Sequence, residues 1–150
     1  PAYYQQYIGS AVPVKIIFGQ TYRLLQQAKA ALVTSGTATL ETALFRVPQV
    51  VCYYIPMGKV ISFLRRHILK VKYISLVNLV ANKEVVRELV ADTMTVANVR
   101  SELNALLNDE TYRGQMLKEY DRMIKILGPA GASYQAASKM IELLSVRKGK

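Results

Sequence analysis

The chain has one cysteine, one histidine and half as many acidic as basic residues, 10 against 20. A lone Cys52 excludes an internal disulfide framework and suits a reducing compartment. No apolar run reaches the roughly 18 residues that would span a bilayer. There is no internal repeat, no zinc-ligand spacing, no P-loop and no G-x-G-x-x-G. His67 stands among lysines and arginines, with no cysteine or carboxylate spaced to complete a metal site. The first residue is Pro1 and not methionine, so the missing leader says nothing about targeting. The scarcity of acid leaves a formal net charge of +10. Such a charge points to an anionic partner: nucleic acid, a phosphorylated small molecule or an acidic lipid surface. With 51% hydrophobic and 20% charged residues, the composition is that of a folded protein and not a disordered one. At 150 residues it is one domain or part of one.

The most informative stretch is Ala31-Leu32-Val33-Thr34-Ser35-Gly36-Thr37-Ala38-Thr39-Leu40-Glu41. A short apolar run gives way to small hydroxylated residues and a glycine, then to a helical pattern. This predicts a strand, a tight turn and a helix N-terminus, with Ser35 or Thr37 as cap. Free N–H groups and the positive end of a helix dipole suit a phosphate-sized anion, and Gly36 allows close approach. Glu41, one turn beyond Thr37, would repel a phosphate but suits the paired hydroxyls of a sugar. The same residues also fit an ordinary, well-capped strand–turn–helix unit.

Around that stretch the chain alternates. Residues 1–13 form a lead-in, followed by strands expected at Val14–Phe18, Ala30–Val33 and Val47–Ile55 and helices at Thr21–Lys29 and Gly36–Phe45. The near-continuous apolar character of the third strand suits one covered on both faces, as in a parallel sheet. Tyr73–Val77 is expected as a short fourth strand with Asn78 at its end, and Lys83–Ala91 as a helix. From Thr95 onward three helices follow, with breaks at Asp109 and at Gly128-Pro129. The alternation predicts an α/β, Rossmann-like parallel sheet with flanking helices and a helical C-terminal region. In such folds ligands bind beyond the carboxyl ends of the strands, where residues 34–37 fall. A free-standing doubly wound sheet has about five or six strands, so three or four suggest the back part of a larger protein.

Met57–Lys72 is the second informative stretch. Val60, Ile61, Leu64, Ile68 and Leu69 recur at helical spacing, and Lys59, Arg65, Arg66, His67, Lys70 and Lys72 carry the charge. A basic amphipathic helix fits a membrane surface, or a surface helix with a solvated basic face.

Ser35-Gly36-Thr37-Ala38-Thr39-Leu40-Glu41, Pro48 with Val50-Val51-x-Tyr53, Tyr73-Ile74-Ser75-Leu76-x-Asn78-Leu79 and Glu88-Leu89 together, in this order and spacing, resemble the lipid-A-disaccharide synthase family. The resemblance runs from about Val14 to the last helix. It implies the carboxyl-terminal, nucleotide-sugar-binding domain of a glycosyltransferase-B fold, present here in part over residues 1–150, with the amino-terminal acceptor domain absent from this chain. The implied reaction transfers diacylglucosamine from UDP to a diacylglucosamine phosphate acceptor (lipid X), with inversion. It takes place at the inner face of the bacterial cytoplasmic membrane and needs no metal or other cofactor.

Carried onto this sequence, the resemblance assigns Ser35, Gly36 and Thr37 to the UDP diphosphate, Glu41 to the ribose, and Asn78 to the cleft near sugar or diphosphate. It turns Lys59, Phe63, Leu64, Arg65, Arg66, Lys70 and Lys72 into a contact with an anionic membrane surface, since both substrates are acylated. The catalytic base falls to the absent half, so no catalytic residue is assigned here and the isolated chain is expected to be inactive. The family usually has proline at Val77, glycine and arginine at Asn82 and Lys83, arginine at Tyr54 and glutamine at Ala91. Other UDP-sugar enzymes of the same fold (an epimerase, or the transferase of the peptidoglycan precursor) lack the Tyr73–Leu79 pattern. A nucleic-acid-binding module would want aromatics interleaved with its basic residues, so nucleic acid is not expected as a partner. A non-catalytic scaffold and a homo-oligomer remain open on the residues alone.

Overall fold

The structure, a computed structural model, describes residues 2–5, 7–8, 13–34, 36–54, 72–129 and 131–148. Ser35 and the expected basic helix, with Lys59, Phe63, Leu64, Arg65, Arg66, His67 and Lys70, lie outside the described residues.

The order of elements is α1 (Ala2–Gln5), α2 (Thr21–Gln27), β1 (Ala31–Val33), α3 (Gly36–Leu44), β2 (Gln49–Tyr53), α4 (Leu76–Ala81), β3 (Arg87–Val90), a 3₁₀ turn (Ala91–Thr93), α5 (Val96–Asn108), α6 (Glu110–Leu127) and α7 (Ala132–Lys148). The three strands form a parallel sheet in the order β1-β2-β3, with Leu32 opposite Val50 and Val51 opposite Glu88. Both crossovers advance in the same direction, and their helices α3 and α4 pack against each other, as right-handed connections require. Val50 and Val51 point to opposite faces of β2, yet both are buried, so the central strand is covered on both sides. Helix α3 packs on β1 and β2, and α5 packs on β2 and β3. This is the α/β class read from the alternation, with the core where the apolar run of β2 predicts it.

Three local expectations give way. Val14–Phe18 is not a strand but exposed, irregular backbone, with Val14 56% and Phe18 58% exposed. Its β-branched composition fits a pleated surface, but no strand among the described residues pairs with it. Tyr73–Val77 is not a fourth strand: Ser75 caps α4, its side chain accepting from the Asn78 N–H at 3.3 Å. Asn82, in the left-handed region at φ 50°, ends that helix. Lys83–Ala91 is not a helix: Arg87–Val90 forms β3, because its pairing with β2 outweighs the helical pattern of a short segment.

The later helices follow their punctuation. The side chain of Thr95 accepts from the Asn98 N–H at 3.2 Å, and that of Asp109 from the Tyr112 N–H at 2.9 Å. Gly128, at φ 74°, closes α6. Helix α6 carries Met116, Tyr120 and Met123 into the core. The buried Tyr120 hydroxyl donates to the Val47 carbonyl at 3.3 Å and accepts from Gln49 Nε2 at 3.2 Å. No helix among the described residues is long and apolar enough to cross a membrane.

Tyr112 ties α6 to α5, its hydroxyl donating to Glu102 Oε2 at 3.1 Å. Burial, and then the Glu102 carboxylate, push its pKa up to about 12. A phenol whose pKa is raised on folding holds its proton longer in the folded chain than in the unfolded one. Its contribution is therefore complete below the unfolded value near 10 and is lost as pH rises towards 12. Burial shifts Tyr120 in the same direction. Urea midpoints measured from pH 9 to pH 11.5 should fall, and Tyr112→Phe should flatten part of that fall while Tyr120 retains the rest.

Candidate functional site

The carboxyl ends of the parallel strands carry the groups of interest. Gly36 opens α3 directly beyond β1, and Thr37 lies exposed in its first turn, so Thr37 is inside the helix and does not cap it. The first backbone N–H groups of α3 have no acceptor within the helix and present the positive end of its dipole. From deeper in the helix, Thr39 Oγ1 donates back to the Gly36 carbonyl at 2.5 Å and Thr42 Oγ1 to the Ala38 carbonyl at 2.7 Å. These bonds take carbonyls and use none of the first-turn N–H groups.

Among the described residues nothing requires glycine at position 36: its φ lies outside the left-handed range, and of the described atoms an added Cβ would meet the Tyr53 hydroxyl, at an ordinary 3.6 Å. Tyr53 ends β2 beside it, its pKa raised by burial and then by the Glu88 carboxylate, so its hydroxyl keeps its proton as a neutral neighbour.

Glu41 lies one turn further along α3 and opens onto a cavity of ≈ 440 Å³ shared with Gly19, Gln20, Thr21, Tyr22 and Arg23. That volume is within the range of small-molecule sites. The loop before α2 is held by Gly19 at φ 67°, by a 3.4 Å bond from Arg23 Nη1 to Gln20 Oε1, and by Tyr22 stacked on Phe45 of the α3 end at 5.3 Å. Sequence reasoning missed this loop as part of the site. The signal available was Gly19-Gln20-Thr21, a glycine and a small polar residue at a helix start, repeating the grammar of Ser35-Gly36-Thr37.

Asn78 is placed differently from a cleft residue. It is fully buried on α4, not at a strand end. Its Oδ1 accepts from the Val85 and Val86 N–H groups at 2.7 and 3.0 Å, and its Nδ2 donates to the Val86 carbonyl at 2.8 Å and to Glu88 Oε1 at 2.9 Å. The amide is saturated, leaving nothing for a ligand. Glu88 in turn accepts from the Ile74 N–H at 3.0 Å, the Ser75 N–H at 2.9 Å and the Ser75 hydroxyl at 2.8 Å. Ser75, Asn78 and Glu88, three of the residues that carry the family resemblance, thus form one lock between the start of α4 and β3. Lys72, the one residue of the basic stretch that is described, is exposed, with its ammonium 5.1 Å from the Tyr73 ring centre.

Among the described residues no group of histidine, cysteine, aspartate and glutamate is arranged to hold a metal ion.

The family model described as lipid-A-disaccharide synthetase matches residues 5–140 of the chain. Lipid-A-disaccharide synthase of Psychromonas ingrahamii is 37% identical over 144 residues, covering 96% of this chain and 36% of the relative. That of Saccharophagus degradans is 32% identical over 139 residues, 93% of this chain and 35% of the relative. That of Myxococcus xanthus is 35% identical over 136 residues, 91% of this chain and 35% of the relative. The chain therefore spans about a third of the length of the curated relatives it matches. No solved structure gives a significant match.

Proposed function

The chain belongs to the lipid-A-disaccharide synthetase family, and on that premise we propose that it is the donor-binding part of a hexosyltransferase of lipid A synthesis. The complete protein moves diacylglucosamine from UDP to a diacylglucosamine phosphate acceptor. The observation that carries this reading is the placement of Gly36, Thr37 and Glu41. Helix α3 starts at the carboxyl end of β1, and a carboxylate one turn on opens into a cavity of nucleoside size. The diphosphate is bound by Ser35, Gly36 and Thr37, and the N–H groups of Gly36 and Thr37, fixed in the first turn of α3, are already oriented when negative charge grows on the departing UDP. Glu41 accepts the ribose hydroxyls, and the base extends towards Gln20 and Arg23. Asn78 serves the cleft from a distance, as the residue that fixes α4 against β3.

The general base that activates the acceptor hydroxyl belongs to the part of the protein outside this chain. The stretch from Lys59 to Lys72 brings the enzyme to an anionic leaflet, at the inner face of the cytoplasmic membrane, where both acylated substrates reside.

The test is a titration of the purified chain with UDP, and with ADP as control, followed by backbone amide shifts. UDP is expected to move the amides of residues 35–37 and of the 19–23 loop, and ADP is not. Glu41→Ala should weaken UDP by about 10- to 100-fold, the worth of charge-assisted hydrogen bonds to two hydroxyls. No shift at residues 36–37 with UDP would show that the turn serves the fold alone; equal shifts with UDP and ADP would show a diphosphate site that does not read the base, and an unchanged affinity in Glu41→Ala would remove the ribose contact.

A further inference from the structure

Tyr53 carries a hydroxyl that the fold does not use. Its ring, at the carboxyl end of β2, is half-buried and packs against the core. The hydroxyl of such a ring usually finds a partner, yet this one makes no hydrogen bond among the described residues. The one described side-chain polar atom that is both shut off from solvent and unbonded is Gln49 Oε1, so the Tyr53 hydroxyl is open at the surface. Phenylalanine would supply the same packing.

Its neighbours fix what that oxygen can do. A Cβ built on Gly36 would lie 3.6 Å from it, so the hydroxyl stands beside the first turn of α3. Val51 and Tyr53 share a face of β2, and Val51 is opposite Glu88, so the ring lies on the face where Glu88 meets the start of α4. The Glu88 carboxylate takes the Ile74 and Ser75 N–H groups, which gives α4 an anion from within the chain. No side-chain bond within α3 does the same for its first turn. Burial, and then Glu88, raise the Tyr53 pKa, so the group meets an anion as an O–H donor. The cavity that Glu41 opens onto is lined by residues 19–23 and not by Tyr53, so Glu41 and Tyr53 approach the helix from different sides.

We propose that the Tyr53 hydroxyl donates a hydrogen bond to the terminal phosphate of the departing UDP, the one bonded to the sugar. This rests on the donor-site reading above. With the ribose at Glu41 and the inner phosphate at the first turn of α3, the terminal phosphate is the group that reaches the tyrosine side. A phosphate oxygen that accepts from the first-turn N–H groups at about 2.9 Å comes within hydrogen-bond reach of this hydroxyl. When the bond between the sugar carbon and that phosphate breaks, the electron pair stays on the phosphate. A donor fixed there gains strength as the charge grows. Tyr53 keeps its proton in this step, and the proton of the acceptor hydroxyl goes to the base outside this chain.

The experiment compares UDP, UMP and uridine by calorimetry on the purified chain and on Tyr53→Phe. The variant should lose about 10- to 100-fold in affinity for UDP, the worth of one hydrogen bond to a charged acceptor. Its affinities for UMP and uridine and its urea midpoint should match the parent, since no bond within the chain is removed. In the parent, labelled with carbon-13 at tyrosine Cζ, the Tyr53 resonance should move with UDP and stay in place with UMP. An unchanged UDP affinity in Tyr53→Phe, equal losses for UDP and UMP, or a Tyr53 resonance that UDP leaves in place overturns the proposal. If UDP does not bind the parent at all, the donor reading falls. Tyr53 is then judged on inorganic pyrophosphate alone: a shift of its Cζ resonance sustains the phosphate contact, and none overturns it.

Discussion

Replacing Asn78 with leucine should destabilise the chain by about 3–5 kcal/mol, the cost of leaving several buried polar groups without partners. The volume is nearly kept, so the loss is electrostatic. The Val85 and Val86 N–H groups and the Val86 carbonyl lose this side-chain partner at once, and Glu88 Oε1 loses one of its three donors, keeping the two from Ser75. Single domains hold about 5–15 kcal/mol in total, so the variant is left with a small reserve, or none, in urea denaturation. Asn78→Asp separates the contributions. It keeps the acceptor for Val85 and Val86, loses both donors, and sets a second carboxylate against Glu88. Two carboxylates in one buried site raise the pKa of one of them. The protonated pair is then the stable form, so stability is greatest below the unfolded value near 4 and falls as pH rises through the raised folded value. The Asn78→Asp chain should have a higher urea midpoint at pH 5 than at pH 8, while the parent differs little between them. A leucine variant with the parent's midpoint would mean that water or backbone rearrangement satisfies these groups.

The same network shows what was and was not legible in the residues. The apolar run of β2, the caps at Thr95 and Asp109 and the stop at Gly128 are local chemistry, and each acts where its residue type says. The α3 unit could be read for the same reason: a strand, a small-residue turn and a helical stripe follow each other without interruption. Arg87–Val90 could not be read as a strand. Its side chains suit either element, and its state is decided by Val50, Val51, Cys52 and Tyr53 across the sheet, 37 positions away in sequence. Val14–Phe18 failed in the opposite direction, having the composition of a strand with no neighbour among the described residues to pair with. Asn78 is the sharper case. A polar residue in an apolar run signals either a ligand or a buried acceptor of backbone donors, and only the position of residues 85–88 distinguishes the two. Likewise Glu41 was visible as a carboxylate one turn from the anion site, but the cavity it faces is closed by the 19–23 loop, which the sequence places two elements earlier.

The position where fold and function separate most cleanly is Gly36, and Gly36→Asp should move stability and binding in opposite directions. An acidic side chain in the first turn of α3 complements the helix dipole by about 0.3–1 kcal/mol, and removing a glycine stiffens the unfolded chain by a similar amount. The backbone conformation tolerates the change, and the nearest atom to the new Cβ is the Tyr53 hydroxyl at 3.6 Å. The thermal midpoint should therefore stay level or rise. Binding of UDP should instead collapse by at least about 100-fold. A carboxylate held about 5 Å from one charge of a diphosphate costs about 3 kcal/mol at an effective dielectric constant of 20. Gly36→Ala supplies the control without charge: the same small gain in stability, and a loss of affinity limited to what one methyl group obstructs, about tenfold. If both variants are more stable and bind UDP as the parent does, the glycine is a feature of the turn and the anion lies elsewhere along the strand ends. If the aspartate variant alone loses UDP, the first turn of α3 is where the phosphate charge sits. The absence of a side chain at position 36 is then explained by the ligand, since the fold itself does not call for it.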